Sequence, residues 1–487
     1  SYDINDSYLI GNSYERLSGR LNCDYRFSDR LTISGSLSKS NGTNNRIDGA
    51  WSGGLGEAMS TALPIYPVFI NDSTYFQGVS NPVRTRELKE WTNLEKRGIY
   101  NLAATYRIND KLYLKGSSSQ DLMHLQEDIY IPQLLNPFFN HAGQASRYNT
   151  RIENQNINLI SGYSDNDIFN NKYSFLFGYE YQKSQNQYSS ISTNNVLGPI
   201  NQLSDLDTTI ELSTPSSRYA FLSYFARSKY NIQDKFYLQG TMRVDGSSRF
   251  GSNNVYGYFP SASFAYILSE ENFLRRVEKI NFLKFKISYG KTGNANIPND
   301  QWRATFSDTT NSISYNNEPI IFPIRRENPD LKWESSNTLD IGIEGGLYDD
   351  RIHFTLEAYR KYTDGVIMDI SLPPSSGFTS YWDNVGEILN KGIEFSLVSH
   401  NIEKPNFKWS TNFNIAHNYN EIVSIGPYSE DAVAGGTNDT RVVVGMPVGT
   451  NFLVRFSHVD PENGRPVYLD INGNETYDWD PSNRVPV

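Results

Sequence analysis

This sequence predicts an all-β chain whose antiparallel strands form part of a transmembrane β-barrel, and three observations carry the prediction. Apolar residues recur at every second position over many stretches. The connections between those stretches alternate between very short and very long. Aromatic residues make up 14% of a chain whose mean hydropathy is nevertheless −0.54. A period of two is the mark of a strand with unlike faces. Barrels that cross a membrane add aromatic girdles, tight turns on one side and long loops on the other.

The strands read off in order. Leu17, Gly19, Leu21, Cys23, Tyr25 and Phe27 alternate with Arg16, Ser18, Arg20, Asn22, Asp24 and Arg26. Leu31, Ile33, Gly35 and Leu37 follow, then Tyr173 to Tyr181, Phe236 to Met242, Leu283 to Tyr289, Leu339 to Leu347 and Phe354 to Ala358. Polar faces carry Arg20, Arg243, Lys286 and Glu344. A soluble sandwich alternates too, so alternation alone does not place the chain in a membrane. The connections discriminate better. Phe27 to Arg30, Ile108 to Lys111, Ile232 to Lys235 and Leu347 to Arg351 each run from an apolar residue through a turn bearing Asp to a cation. Asn and Asp suit such turns because they tolerate the left-handed region. Roughly 40–95, 123–148, 187–215 and 294–334 are long and rich in Asn, Ser, Gly and Pro, more long loops than a soluble domain carries. The reading gives about 14 to 15 strands of about 10–15 residues, no helical domain, and one short helical piece near Glu270 to Lys279.

Composition removes other classes. No apolar run of 18 residues exists, so no helix crosses a membrane; the most apolar stretch, Thr61 to Ile70, contains Pro64 and Pro67. A net charge of −10 argues against nucleic acid. One cysteine, Cys23, excludes an internal disulfide framework. The start, Ser1-Tyr2-Asp3-Ile4, has no signal-peptide character, so an exported chain of this kind is expected to be a mature product or a fragment. His124, His141, His353, His400, His417 and His458 fall in no metal-ligand spacing, and no nucleophile elbow or phosphate loop occurs, so no enzyme is expected.

A run of short motifs resembles the SusC/RagA family of TonB-linked outer-membrane proteins. It contains Arg243-Val-Asp245-Gly246-Ser-Ser-Arg249-Phe250-Gly251, Asn254, Tyr256 to Ser263, and Glu271 to Phe273. Leu283 to Gly290, Thr292 to Asn294, Asn328 to Trp333-Glu334 and Ile341 to Glu344 follow in order, then Leu372 to Pro374, Gly377, Asn384-Val-Gly386 and Asn390-Lys-Gly392-Ile-Glu394. Trp409, Asn412, Asn414, Asn418 and Asn420 complete it. The resemblance is firm from about 215 to 480. It implies a TonB-dependent receptor barrel domain over 1–487, about 22 strands in the intact barrel, and a plug and C-terminal strands outside this chain. The sheet is therefore expected to be open. It also implies active import of an oligosaccharide or peptide across the outer membrane, with a SusD-like surface lipoprotein as partner and energy from the TonB complex through an N-terminal region.

Most motif residues read as structural. Gly246, Gly251, Gly293 and Gly377 suit positive φ. Asn384, Asn390 and Asn418 suit lumen hydrogen bonds or turns, and Trp333, Tyr258, Tyr289 and Trp409 suit interface girdles. Asp470, Asn472, Asn474 and Asp478 have the alternating spacing of a calcium loop, but Glu475 stands where its glycine belongs and Pro481 where its bidentate Glu belongs. An Asn/Gly-rich extracellular turn is the other reading. Trp51, Tyr66, Trp302, Tyr381 and Trp382 are loop aromatics that could stack on sugar or pack their own loops. Leu283, Phe285 and Ile287 are expected to face membrane lipid, with Lys284 and Lys286 facing the lumen, and the Asp-bearing turns are expected to share one rim. The competing functions are a scaffold barrel in a larger assembly and a soluble β-rich adhesin or carbohydrate-binding protein. A plug would separate importer from scaffold, and detergent-free solubility would mark the adhesin.

Overall fold

The computed structural model describes residues 1–487 except 8–10, 48–59, 61, 64, 73, 77–80, 136–142, 195, 197–198, 200–209, 214–215, 309–313, 316–317, 320 and 434–439. Fourteen strands of twelve residues or more dominate the described residues: β1 Ser13–Arg26, β2 Leu31–Asn45, β3 Glu90–Arg107, β4 Leu112–Pro132, β5 Gly143–Asn166, β6 Lys172–Asn194, β7 Ser216–Ile232, β8 Phe236–Ser247, β9 Tyr256–Ile267, β10 Ile280–Asn294, β11 Glu334–Leu347, β12 Ile352–Ser371, β13 Ser380–Lys404 and β14 Phe407–Ser424. No helix among the described residues is long and apolar enough to cross a membrane. The chain forms two compact units, Ser1–Ile160 with Glu180–Ala220, and Ser161–Tyr179 with Phe221–Val487.

In the first unit β1, β2, β3 and β4 pair consecutively and antiparallel, without a register break. Because the side-chain period is two, an unbroken register sorts residues into rows on opposite faces. Leu21, Leu37, Tyr100 and Gln120 form one row, and Asn22, Ser36, Asn101 and Ser119 lie on the other face. The turns at 28–30 and 108–111 sit at one end, where the Arg107 amide donates to the Arg30 carbonyl at 2.7 Å. Both close by side chains. Ser28 Oγ accepts from the amides of Arg30 and Leu31, and Asn109 Oδ1 from those of Lys111 and Leu112.

In the second unit β7 to β14 pair in sequence order. Its short turns also share one end. The amide of Ile267 donates to Lys235, that of Tyr348 to Lys279 and that of His400 to Arg351. Here the turns use the left-handed region, at Gln233, Asp234, Tyr348, Asp349 and Asp350. One sequence pattern thus covers two turn geometries, because Ser and Asn at the turn start offer an acceptor that replaces positive φ. A turn the sequence reading missed, at 167–171, is tied to the same end. Tyr230 donates to Asp167 at 2.5 Å, and Lys172 pairs with Asp234 at 3.1 Å.

Strand lengths depart from expectation. They reach 25 residues in β13, and the loop read at 123–148 narrows to 133–142. Residues 123–132 continue β4 with Met123, Leu125, Ile129 and Ile131 on one face and His124, Gln126 and Asp128 on the other, a period-two stretch inside the expected loop. The helical piece expected at 270–279 is a 3₁₀ turn, Leu268–Glu270, followed by further turns; among the described residues α-helices run over Pro82–Leu88 and Glu430–Val433.

Large apolar side chains are mostly outside. Eleven hydrophobic residues are buried among the described residues, whereas Leu17, Leu21, Tyr25, Leu102, Phe177, Tyr289 and Ile393 are more than half exposed, all on apolar strand faces. A water-soluble chain would fold to cover such faces; a bilayer covers them with lipid.

Candidate functional site

The polar face of the second unit is built by register. Lys229, Gln239, Ser263, Ser288, Asp340 and Tyr359 form one row across β7 to β12. The next row holds Lys286, Gly342, Glu357 and Glu394, and the one after it Lys284 and Glu344. Lys286 Nζ lies 2.7 Å from Glu344 Oε1, Lys284 Nζ lies 3.1 Å from Glu344 Oε2, and Lys286 also pairs with Glu357. Gly342 makes this reach possible: a Cβ there would stand 2.7 Å from Lys286 Cε. Each member is about a third exposed or less, apart from Glu357 at 37%. The network is therefore wet, and each pair contributes below about 1 kcal/mol.

A cavity of about 1060 Å³ opens on this face, lined among others by Lys229, Gln239, Ser288, Lys286, Asp340 and Glu357. It presents both charges and neutral donors and acceptors. Among the described residues no three His, Cys, Asp or Glu gather to hold a metal. The arrangement can hydrogen-bond and hydrate a polar cargo.

The motif residues divide between this face and the loop end. Arg243 grips Asp245 through Nε at 2.7 Å and 2.9 Å. Asn420 donates to Asn390 at 2.7 Å, and Tyr359 donates to Asn418 at 2.8 Å across Gly392. Glu394 stands beside Glu357. At the loop end Phe250, Ile297 and Leu331 form a buried core with Trp302, Trp333 and Trp382 packed around it. Arg249 donates to Asn299 at 2.7 Å and to the Ala295 carbonyl at 2.8 Å. Asn384 clasps Lys332, accepting from its amide and donating to its carbonyl, both at 2.8 Å. Asn294 donates to Glu334 at 3.4 Å, and Gly386 lies opposite Val366 at a bulge.

Two readings of these motifs need correction. Of Gly246, Gly251, Gly293 and Gly377 only Gly377 has positive φ. Gly251 is there for close approach, because a Cβ would stand 2.1 Å from the Pro329 carbonyl oxygen. Trp333 is no girdle residue. It donates to the Val255 carbonyl at 3.1 Å and packs on Phe250 with ring centroids 4.7 Å apart. Tyr258, Tyr289 and Trp409 do stand exposed on apolar faces.

Of the aromatics expected in loops, Tyr381 and Trp382 lie instead on β13, opposite Ile370 and Asp369 of β12. Trp302 donates to the Ser248 carbonyl at 3.3 Å, and Trp302 and Trp382 support the loop core. Tyr381 lies under the Arg326 guanidinium, 5.2 Å from ring centroid to Cζ. Tyr66 stacks on Phe76 at 5.3 Å, and Trp51 lies outside the described residues. The calcium spacing folds into a self-closed turn. Asp470 Oδ1 accepts from the amides of Asn472 and Asn474, its Oδ2 from the Asn474 side chain, and positive φ falls on Gly473. A carboxylate so occupied, with Asp478 outside the turn, fits a calcium ion poorly.

Residues 39–480 match the family model described as TonB dependent receptor-like, beta-barrel. Two TonB-dependent receptors of Formosa agariphila are 29% and 30% identical to the chain over 464 and 452 residues, covering 91% and 87% of it. The TonB-dependent receptor SusC of Bacteroides thetaiotaomicron is 31% identical over 292 residues, 55% of the chain and 28% of SusC. The chain spans about half the length of the Formosa relatives, 46% and 44%. The RagAB peptide transporter superposes with a TM-score of 0.85 over 98% of the chain and 55% of its own, at 20% identity, a likeness of fold. The chain therefore belongs to the TonB-dependent receptor-like β-barrel family.

Proposed function

We propose that the protein to which this chain belongs imports a bulky nutrient, an oligosaccharide or a peptide, through the bacterial outer membrane, and that this chain forms barrel wall. The observation that carries the reading is the two-sidedness of the strands: a hydrated face with Lys284, Lys286, Glu344 and Glu357 in a mixed-charge network, backed by an exposed apolar face. Such a wall separates lipid from a polar path. Similarity to SusC supports a surface lipoprotein of the SusD type as partner and TonB as the energy source, acting through a segment beyond this chain. Tyr66, from a loop of the first unit, and Tyr381, on β13 next in sequence to Trp382 of the loop core, are the aromatics put forward as cargo contacts. In this reading the cargo passes unchanged, since the polar face offers hydrogen bonds and charges already paired with one another. A gene-deletion strain grown on glycans and on peptides as sole nutrients tests this. Loss of growth and uptake on one class is expected; unimpaired growth and uptake on every one would leave the protein a scaffold.

A further inference from the structure

We infer that the outward face of the first unit carries a binding site for the phosphate-bearing headgroup of a membrane lipid, formed by Lys39, Lys96 and Arg151 with His124. The register assembles it. Leu17, Asn41, Lys96 and His124 form one row across β1 to β4, and Gly19, Lys39, Gly98 and Leu122 form the row beneath. Both rows share a face with Leu21, Leu37, Tyr100 and Leu102, the apolar face exposed to the bilayer. Arg151 reaches the same place. Leu159, on its strand and of its parity, packs against Gly116 of this face, and Arg151 lines the shallow socket of about 520 Å³ shared with Lys39, Lys96 and His124.

Height locates the socket in the bilayer. The row of Lys96 lies ten residues beyond the Leu31–Tyr106 pair at the turn end. At about 3.4 Å per residue and a tilt of about 40°, that is roughly 25 Å, the height of the apolar band of such barrels. The cations thus stand where acyl chains give way to headgroups. The rows below are the apolar Leu21, Leu37, Tyr100 and Leu102; Gly19 leaves open space on this face, and the Tyr100 ring lies over Gly98.

Charge supplies the occupant. The chain carries −10 overall, yet this patch gathers three permanent cations. Glu153 on the same face is paired with Arg151 at 2.6 Å, and Glu15 accepts from Tyr2 at 3.3 Å. Among the described residues no carboxylate pairs with Lys39 or Lys96. Two such ammonium groups at the edge of an apolar belt match an anionic headgroup whose acyl chains lie along Leu37 and Leu102. Each basic residue near a charged lipid surface contributes about a factor of five in affinity. A lipid with a phosphomonoester presents the charge, and His124 offers a further hydrogen bond.

The inference rests on the membrane-spanning reading, and the test separates the two. The intact protein, folded in detergent as judged by the heat-dependent shift of its band on a gel, is titrated with short-chain phosphatidic acid and with phosphatidylcholine, counting bound lipid by native mass spectrometry. A failure to fold in detergent would count against the barrel itself. For the folded protein, phosphatidic acid is expected to bind in preference to phosphatidylcholine. K39Q/K96Q/R151Q should weaken phosphatidic acid about a hundredfold and leave phosphatidylcholine unchanged, and K39R/K96R should keep the wild-type affinity. If the triple variant misfolds, K96Q alone should still lose about fivefold or more. Equal affinity of wild type and K96Q, or displacement of the lipid by millimolar inorganic phosphate, would overturn the proposal; the latter would mark a soluble-anion site.

Discussion

Replacing Leu331 by alanine should loosen the loop end while leaving the sheet intact. Leu331 is fully buried, with Phe250 and Ile297 nearly so, and Trp302, Trp333 and Trp382 pack around the three. Truncation to alanine removes three buried carbons and leaves a cavity, a loss of about 3 kcal/mol at a site of this kind. The loss falls on a local core, because the segments it joins, 248–255 and 295–333, connect strands that pair independently of it. Local opening should therefore become about a hundredfold more frequent, at 1.4 kcal/mol per factor of ten. Hydrogen exchange read by mass spectrometry should show peptides from 248–255 and 321–333 exchanging faster, and peptides from 281–289 unchanged. G251A should give the same pattern by a different route, since its Cβ must push Pro329 away. Unchanged exchange in the loop peptides, or a uniform rise that includes 281–289, would refute the idea of an independent loop core.

Lys286→Gln should lower stability by less than about 2 kcal/mol, because it removes two solvated pairs of below about 1 kcal/mol each while Glu344 keeps Lys284; a denaturant midpoint in detergent measures it, and a larger loss would mean the site is drier than its exposure indicates. Asp167 is held at about 2 by the Tyr230 hydroxyl first, with the Asn171 side chain and the amides of Asn171 and Phe169 adding to it. Its folded value lies below the ordinary value of about 4, so its contribution is present above pH of about 4 and fades as pH falls toward about 2; the stability gap between wild type and Asp167→Asn should close over that window. Asp349→Val should destabilise the β11–β12 turn by about 1 kcal/mol or more, since φ is 55° there, whereas Asp349→Gly should not. Calcium should leave exchange of the 470–474 amides unchanged, because Asp470 already serves its own turn; slowed exchange would restore the calcium reading.

The strand faces were legible because period two survives wherever apolar and polar residues alternate, as from Leu283 to Ser288. Turn positions were legible from Asp beside a cation, though not turn geometry, which depends on whether Ser28 or Asn109 stands ready to accept. The upper part of β6, Gln187 to Asn194, is hidden because its Ser, Asn and Thr carry little face preference while the ladder continues; the upper part of β4 alternates, with Met123, Leu125, Ile129 and Ile131 on one face, and only its polar neighbours and Pro132 give it the look of a loop. The loop core had no local signal: Phe250, Ile297 and Leu331 meet only after the strands between them have paired. The ion-pair network had a partial one. Lys284, Lys286 and Glu344 were visible as a charged face, but Glu357 joins them only through register and the bare backbone of Gly342.

The proposed function stands on the claim that alternate residues of each long strand look into lipid and into a hydrated lumen, and site-directed spin labelling along β10 decides it. With Cys23 replaced by serine in the intact protein, single cysteines at 283 to 288 are labelled in turn and reconstituted in bilayers, and collisions with oxygen and with a water-soluble nickel complex are measured. Labels at 283, 285 and 287 should favour oxygen, and labels at 284, 286 and 288 should favour nickel, two period-two curves out of phase. Curves in phase, or nickel access at all six positions, would contradict the claim.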